Sequence, residues 1–218
     1  LRSVFALVLS AVLLLGSGAA WAAAPEEPGD LTILFTHDTH DHFLPAANEE
    51  GGEYGGYIRL ATLLKKQRQA AAEQSRAVVT LDGGDFSMGS LFQTIYTTAA
   101  PELRALGAMG YDVTTLGNHE FDYRQQGLAD MLNAAKESGD PLPAIVQANY
   151  TQPMDHDSGY AVVQALENYP VTDYTVIERD GLRVAVFGVL GEDANDCAPM
   201  SGMELEPIAD AAKRVVAE

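Results

Sequence analysis

The 218 residues hold one cysteine, one tryptophan, five histidines and only 13 Lys plus Arg. With Cys197 alone, no intrachain disulfide can form, so an oxidising compartment is tolerated but not exploited. The thiol is expected to be a small, half-buried residue and not a nucleophile. Against the 13 cations stand 31 Asp plus Glu, a formal charge of −18. Such a surface excludes unassisted binding to nucleic acid or anionic lipid. It also opposes an anionic substrate unless bound cations reverse the local field. There is no internal repeat, and the one long apolar run lies at the N-terminus.

That run has the pattern of a secretory signal over residues 1–22. Arg2 is its only charge, Val4 to Leu15 is almost unbroken apolar sequence, and Ala20-Trp21-Ala22 fits a small-x-small cleavage site. Cleavage after Ala22 is the preferred reading, with Ala24 as the alternative and an uncleaved anchor as the rival. Loss of Arg2 would take the charge from −18 to −19, because every acidic residue lies beyond it. Residues 23–30 then form a Pro- and Glu-bearing linker. The remaining stretch, 31–218, is long enough for one domain with a substantial core. These features predict an extracytoplasmic protein with no stable membrane insertion after cleavage.

Three apolar, strand-like runs each finish in residue types that ligate metals. Leu31 to Phe35 leads into Thr36-His37-Asp38-Thr39-His40-Asp41-His42; Ala77 to Leu81 leads into Asp82-Gly83-Gly84-Asp85; and Val113 to Thr115 leads into Leu116-Gly117-Asn118-His119-Glu120-Phe121-Asp122. Strand, glycine, then polar cluster is the pattern of a site at the C-terminal edge of a sheet. If the first run stays extended, Asp38 and His40 share a side and can reach one ion together. Asp85 has lone pairs enough to bridge two cations, and Asn118 adds an oxygen without more charge. Mixed nitrogen and oxygen donors suit Zn, Mn, Co or Fe. Asp41 and His42 are expected to face solvent or to sit beside ligands without being ligands. Glu120 is either a charge pointing away from the site or a partner to neighbouring backbone groups.

Asp38-x-His40, Gly84-Asp85 and Gly117-Asn118-His119-Glu120 with Asp122 resemble the first three motifs of the calcineurin-like metallophosphoesterases. Phe121-Asp122 and Gly55-Gly56-Tyr57-Ile58-Arg59-Leu60 are similar to the 5′-nucleotidase branch. The resemblance runs from about Leu31 to the C-terminus. It implies an α/β fold of two packed sheets flanked by helices, and a centre of two divalent metal ions acting on nucleotides or other small phosphate esters. Residue by residue, it implies Asp38 and His40 on the first ion, Asp85 on both and Asn118 on the second. His119 would face the phosphoryl group, with Asp122 fixing its tautomer and charge.

Elsewhere the pattern predicts a helix over 55–74. Its apolar stripe is Ile58, Ala61, Leu64 and the offset pair Leu60 and Leu63, with Lys65, Lys66 and Arg68 at the end that the helix dipole makes favourable for cations. Arg59 is expected to be exposed. Pro101 opens a short helix ending near Gly107 or Gly110; another runs from about Gly127 to Ser138. The run Ala144 to Ala148 ends in Asn149, a position that lies near the site in the resembling family. Asp180-Gly181 joins two β-rich runs as a hairpin, and Pro207 to Glu218 has a helical pattern. In the resembling family two further histidine-bearing segments and a C-terminal domain follow, so the chain is expected to be the N-terminal part of a longer protein, with too few ligands for two tightly held ions and no appreciable activity alone. His156 lies in the wrong order to substitute for them. Alternatives on the same scaffold are a cyclic-nucleotide phosphodiesterase, a sulfur-ester hydrolase or a non-catalytic extracytoplasmic binding module.

Overall fold

A computed structural model describes residues 29–151 and 160–218. The signal reading and His156 lie outside the described residues. In chain order the strands are β1 (Leu31–Thr36), β2 (Ala46–Ala47), β3 (Glu53–Tyr54), β4 (Ala77–Asp82), β5 (Val113–Thr114), β6 (Ala144–Ile145), β7 (Tyr150–Thr151), β8 (Tyr174–Arg179), β9 (Leu182–Phe187) and β10 (Glu204–Leu205). The α-helices are α1 (Tyr57–Ala72), α2 (Tyr96–Ala99), α3 (Pro101–Ala108), α4 (Arg124–Ser138), α5 (Tyr160–Asn168), α6 (Glu192–Cys197) and α7 (Ile208–Val216). Single 3-10 turns cover Leu91–Ile95 and His119–Phe121.

The expected α/β architecture is present. A four-stranded parallel sheet in the order β1-β4-β5-β6 carries helical crossovers, and the described residues also form three two-stranded antiparallel pairs, among them the hairpin β8-β9. Strands β1 and β4 pair in full register from Leu31 against Ala77 to Thr36 against Asp82, and Leu81 pairs with Val113. Parallel strands in register finish on the same edge. The loops after β1, β4 and β5 therefore meet there, which is where an open parallel sheet places its ligand sites. Asp82 ties the three strand ends together: its carboxylate accepts from Thr36 Oγ1 and Thr114 Oγ1 at 2.8 Å each and from Gly84 N at 3.1 Å.

The main core lies under the helices. Leu103, Leu106, Leu116, Leu128, Met131, Leu132 and Ile145 are fully or almost fully buried in one cluster with Phe86 and Tyr96. Helix α3 begins at Pro101 and α4 ends before Gly139, whose φ of 71° terminates the helix. The hairpin turn places Asp180 at φ 50° and Gly181 at φ 82°, the paired left-handed residues of a two-residue turn that matches strand twist.

Several expectations change. The buried positions of α1 are Tyr57, Leu64 and Ala71, while Ile58 and Leu63 are exposed. The helix is turned so that Tyr57, Leu64 and Ala71 form the buried seam with Leu60 and Ala61 half-buried beside it, and only Ile58 and Leu63 of the expected stripe fall outside. Arg68 is not a solvated dipole partner either: its guanidinium donates to Met109 O, Gly110 O and Thr80 Oγ1, joining α1 to β4 and to the turn before β5. Cys197 is exposed rather than half-buried, because α6 is a short, acidic surface helix with no buried residue. Strands β5 and β6 are two residues each, shorter than their apolar runs; Val146 makes only an isolated bridge to Thr172.

Candidate metal centre

The loop after β1 does not continue as a strand. Asp38, His40 and Asp41 have φ of 51°, 45° and 42°, a left-handed conformation that costs L-residues energy. The loop is held in it by the β4 loop: Asp38 N donates to Gly84 O (3.1 Å), His40 N to Asp85 O (3.1 Å) and Asp41 N to Phe86 O (2.8 Å). Asp38 and His40 therefore do not share a side by strand alternation. The Asp38 carboxylate turns to His37, with Oδ2 2.9 Å from Nδ1. His42 is exposed, whereas Asp41 is fully buried and not solvent-facing.

The β4 and β5 loops pack backbone against backbone. A Cβ on Gly84 would lie 2.8 Å from Gly117 N, and one on Gly117 would lie 2.1 Å from Asp85 Oδ1. Only two glycines permit this approach, and it seats the Asp85 carboxylate over the turn, where it accepts from His119 N at 3.0 Å.

Glu120 is the hub of this packing. It is fully buried, and its Oε2 accepts from Gly117 N (2.6 Å) and Asp85 N (3.0 Å), while Oε1 accepts from Ser87 N (3.1 Å) and Ser87 Oγ (3.0 Å). Of the two sequence-level alternatives, the backbone-partner role is the one observed. Burial, reinforced by the Asp85 charge, pushes its carboxyl up to about 8, and the donors from Gly117 and Ser87 pull in the opposite direction. Tyr96 Oη donates to Glu120 O and fixes the turn from below.

Three side chains converge on one point. Ligand atoms of His40, Asp85 and His119 all lie within 4.8 Å of one another, and each residue is half-buried. The two imidazoles meet edge to face with centroids 5.1 Å apart. His40 Nδ1 lies 3.1 Å from Ser87 O, so this nitrogen carries the proton and Nε2 is left to ligate. His119 Nδ1 lies 3.1 Å from Asp122 Oδ2. Asn118 heads the 3-10 turn without spending its side chain on a capping bond. Asp38 is bound to the same loop framework, but its carboxylate is not part of the three-residue cluster. Asn149 is fully buried and clasps Leu190 and Glu206 through three hydrogen bonds. The structural parts played by Ser87, Asp82, Thr36 and Thr114 were not expected from sequence. Their only signal is a hydroxyl or carboxyl at each strand end.

A nitrogen and oxygen donor set at the mouth of three parallel strands fits a transition ion. The family model for calcineurin-like phosphoesterases matches residues 31–182. The chain belongs to this family. It is 29% identical over 219 residues to a 5′-nucleotidase of Vibrio cholerae, covering 97% of this chain and 36% of the relative. It is 29% identical over 216 residues to protein UshA of Escherichia coli, covering 98% and 35%. A 5′-nucleotidase precursor from Thermus thermophilus superposes with a TM-score of 0.67 at 24% identity, over 86% of this chain and 34% of that structure; that likeness is one of fold. The chain thus spans about a third of the length of these relatives. All residues of the three-residue cluster, with Asp38, Asn118, Glu120 and Asp122, lie inside the family match.

Proposed function

We propose that the protein is an exported, metal-dependent phosphoesterase of the 5′-nucleotidase type, acting on nucleotide phosphomonoesters outside the cytoplasm. The observation that carries this reading is the convergence of His40, Asp85 and His119, with Asp122 against the far nitrogen of His119. Asp38, His40, Asp85 and Asn118 would hold two divalent ions of the Zn, Mn, Co or Fe class, with Asp85 shared; His40 and Asp85 already converge, and the Asp38 carboxylate would turn to the site from His37. When bound, they supply Lewis acidity toward phosphoryl oxygens and a water of lowered pKa.

The chain's own residues orient and protonate. Ser87 O holds the His40 ring in one tautomer, and Glu120 holds the two glycine-bearing loops at the distance that Asp85 requires. Asp122 Oδ2, 3.1 Å from His119 Nδ1, fixes the ring so that Nε2 faces the phosphoryl group, where it would stabilise charge or serve as acid to the leaving oxygen. With a net charge of −18, a phosphate ester needs these cationic groups to approach at all. The same charge argues against nucleic acid as a partner. No helix among the described residues is long and apolar enough to cross a membrane.

The reading is tested by loading the full-length protein with Mn²⁺ or Zn²⁺ and offering AMP, a cyclic nucleotide and a sulfur ester in parallel. Preferred turnover of AMP, lost together with bound metal in Asp85→Asn, is expected. Metal uptake without hydrolysis of any of the three would reject the enzyme reading and leave a non-catalytic binding module.

A further inference from the structure

Two carboxylates behind this centre take no part in it. Asp41 follows His40, and Glu102 stands in the first turn of α3; both are 0% exposed, and among the described residues none of their four carboxylate oxygens has a well-aligned hydrogen-bond partner, the backbone of Glu102 itself being the one donor that bears on its carboxyl. Native proteins pair buried carboxylates with donors or cations, because a bare buried charge is strongly unfavourable. Here the charged groups acting on Glu102 are Asp41 and Glu120, both acidic, and burial with these neighbours pushes its carboxyl up to about 8. Tyr57, whose hydroxyl donates to Thr39 Oγ1, feels both carboxylates as well. No Lys, Arg or His is among the groups acting on Glu102.

The position matters for the centre next door. Asp41 ends the run of left-handed residues that carries Asp38 and His40. Its backbone is tied to the β4 loop and to Ser90 Oγ, which donates to Asp41 O at 3.1 Å. Its side chain is the part of the loop with nothing yet to hold it.

We propose that Asp41 and Glu102 bind a structural Ca²⁺ that fastens the ligand-bearing loop to the start of α3. The donors are all oxygen, which disfavours the nitrogen- and sulfur-preferring ions. Mg²⁺ demands near-ideal octahedral geometry and binds few carboxylates directly, whereas Ca²⁺ accepts irregular shells and bidentate carboxylates, so the two side chains would supply about four of the six to eight oxygens it takes, with backbone carbonyls or water supplying the rest. A divalent ion also cancels both charges, which a monovalent one does not. This ion takes no part in the reaction, and the inference stands whether or not the protein is a nucleotidase.

The test uses protein stripped of metal and then reloaded with Zn²⁺. Ca²⁺ is titrated while the melting temperature and Tyr-sensitised Tb³⁺ luminescence are followed. A rise in melting temperature is expected at up to about 1 mM Ca²⁺, the range of weaker structural calcium sites. Asp41→Asn and Glu102→Gln should each weaken the response at least about tenfold, while Asp85→Asn keeps it. In the absence of Ca²⁺ and at about pH 9, above the value to which burial raises Glu102, Glu102→Gln should melt above the wild type, because it removes a repulsion; with Ca²⁺ the order should reverse. If Glu102→Gln does not fold, Asp41→Asn gives the same reading. A wild type indifferent to Ca²⁺, or an Asp41→Asn response equal to wild type, would overturn the proposal, and a shared proton would then satisfy the pair.

Discussion

Replacing Glu120 by glutamine changes one atom and should still loosen the loop packing. The carboxylate accepts four hydrogen bonds, two on each oxygen. Glutamine keeps one oxygen, and with it two of them. Its amide nitrogen then faces two N–H groups, or the N–H and hydroxyl of Ser87, with no acceptor to offer. Each bond to a charged acceptor is worth about 1.5 to 3 kcal/mol, so about 3 to 6 kcal/mol is lost. Relief from burying the charge offsets most of this. The rise from 4.5 to about 8 puts that relief on the order of 5 kcal/mol at high pH, so the net change is expected to be within about 2 kcal/mol of zero and the released donors to be read chiefly in metal affinity. Urea unfolding at about pH 9, above the value of about 8 to which burial raises the group, measures it. Metal affinity should fall, since the groups released are either Asp85 N and Gly117 N, which seat Asp85, or those of Ser87, whose carbonyl holds the His40 ring. A Glu120→Gln protein with unchanged Mn²⁺ or Zn²⁺ affinity would refute the hub reasoning.

Other outcomes follow from the same geometry. In the full-length protein His119→Asn should lower kcat by roughly 10²-fold with metal content unchanged; loss of an ion, measured by elemental analysis, would make His119 a ligand instead. Gly117→Ala puts a methyl 2.1 Å from Asp85 Oδ1, and titration calorimetry should show metal affinity reduced about 10- to 100-fold. Stability of the metal-free protein should fall as pH rises: the folded Glu102 carboxyl is raised from 4.5 to about 8, so its contribution is fully present below about 4.5 and lost as pH passes through 8. The gap corresponds to on the order of 5 kcal/mol. Urea midpoints between about pH 5 and 9 should show this slope in wild type and a clearly shallower one in Glu102→Gln, where Glu120 still titrates in the same window.

Local sequence determined the element types and the edge on which the chemistry sits. Apolar runs ending in polar clusters at Thr36, Asp82 and Thr115 have few other uses in a parallel sheet, and Asp180-Gly181 and Pro101 mark a turn and a helix start through their own backbone preferences. The motif Gly117-Asn118-His119-Glu120-x-Asp122 carried the family by order and spacing. What sequence left open was every question of direction. Glu120 could point out or in, and it points in only because Gly84 and Gly117 let two backbones touch and present their N–H groups to one carboxylate. Asp38 and His40 were expected to share a strand face, yet the chain turns left-handed at both because the distant β4 loop supplies the acceptors Gly84 O and Asp85 O. The burial of Asp41 and Glu102 depends on where α3 docks, and the turn of α1 that exposes Ile58 depends on which seam meets the sheet. Periodicity and spacing are properties of neighbours along the chain. The rotation of a helix and the inside or outside of a loop are set by partners tens of residues away, and these come into contact only when the sheet has formed.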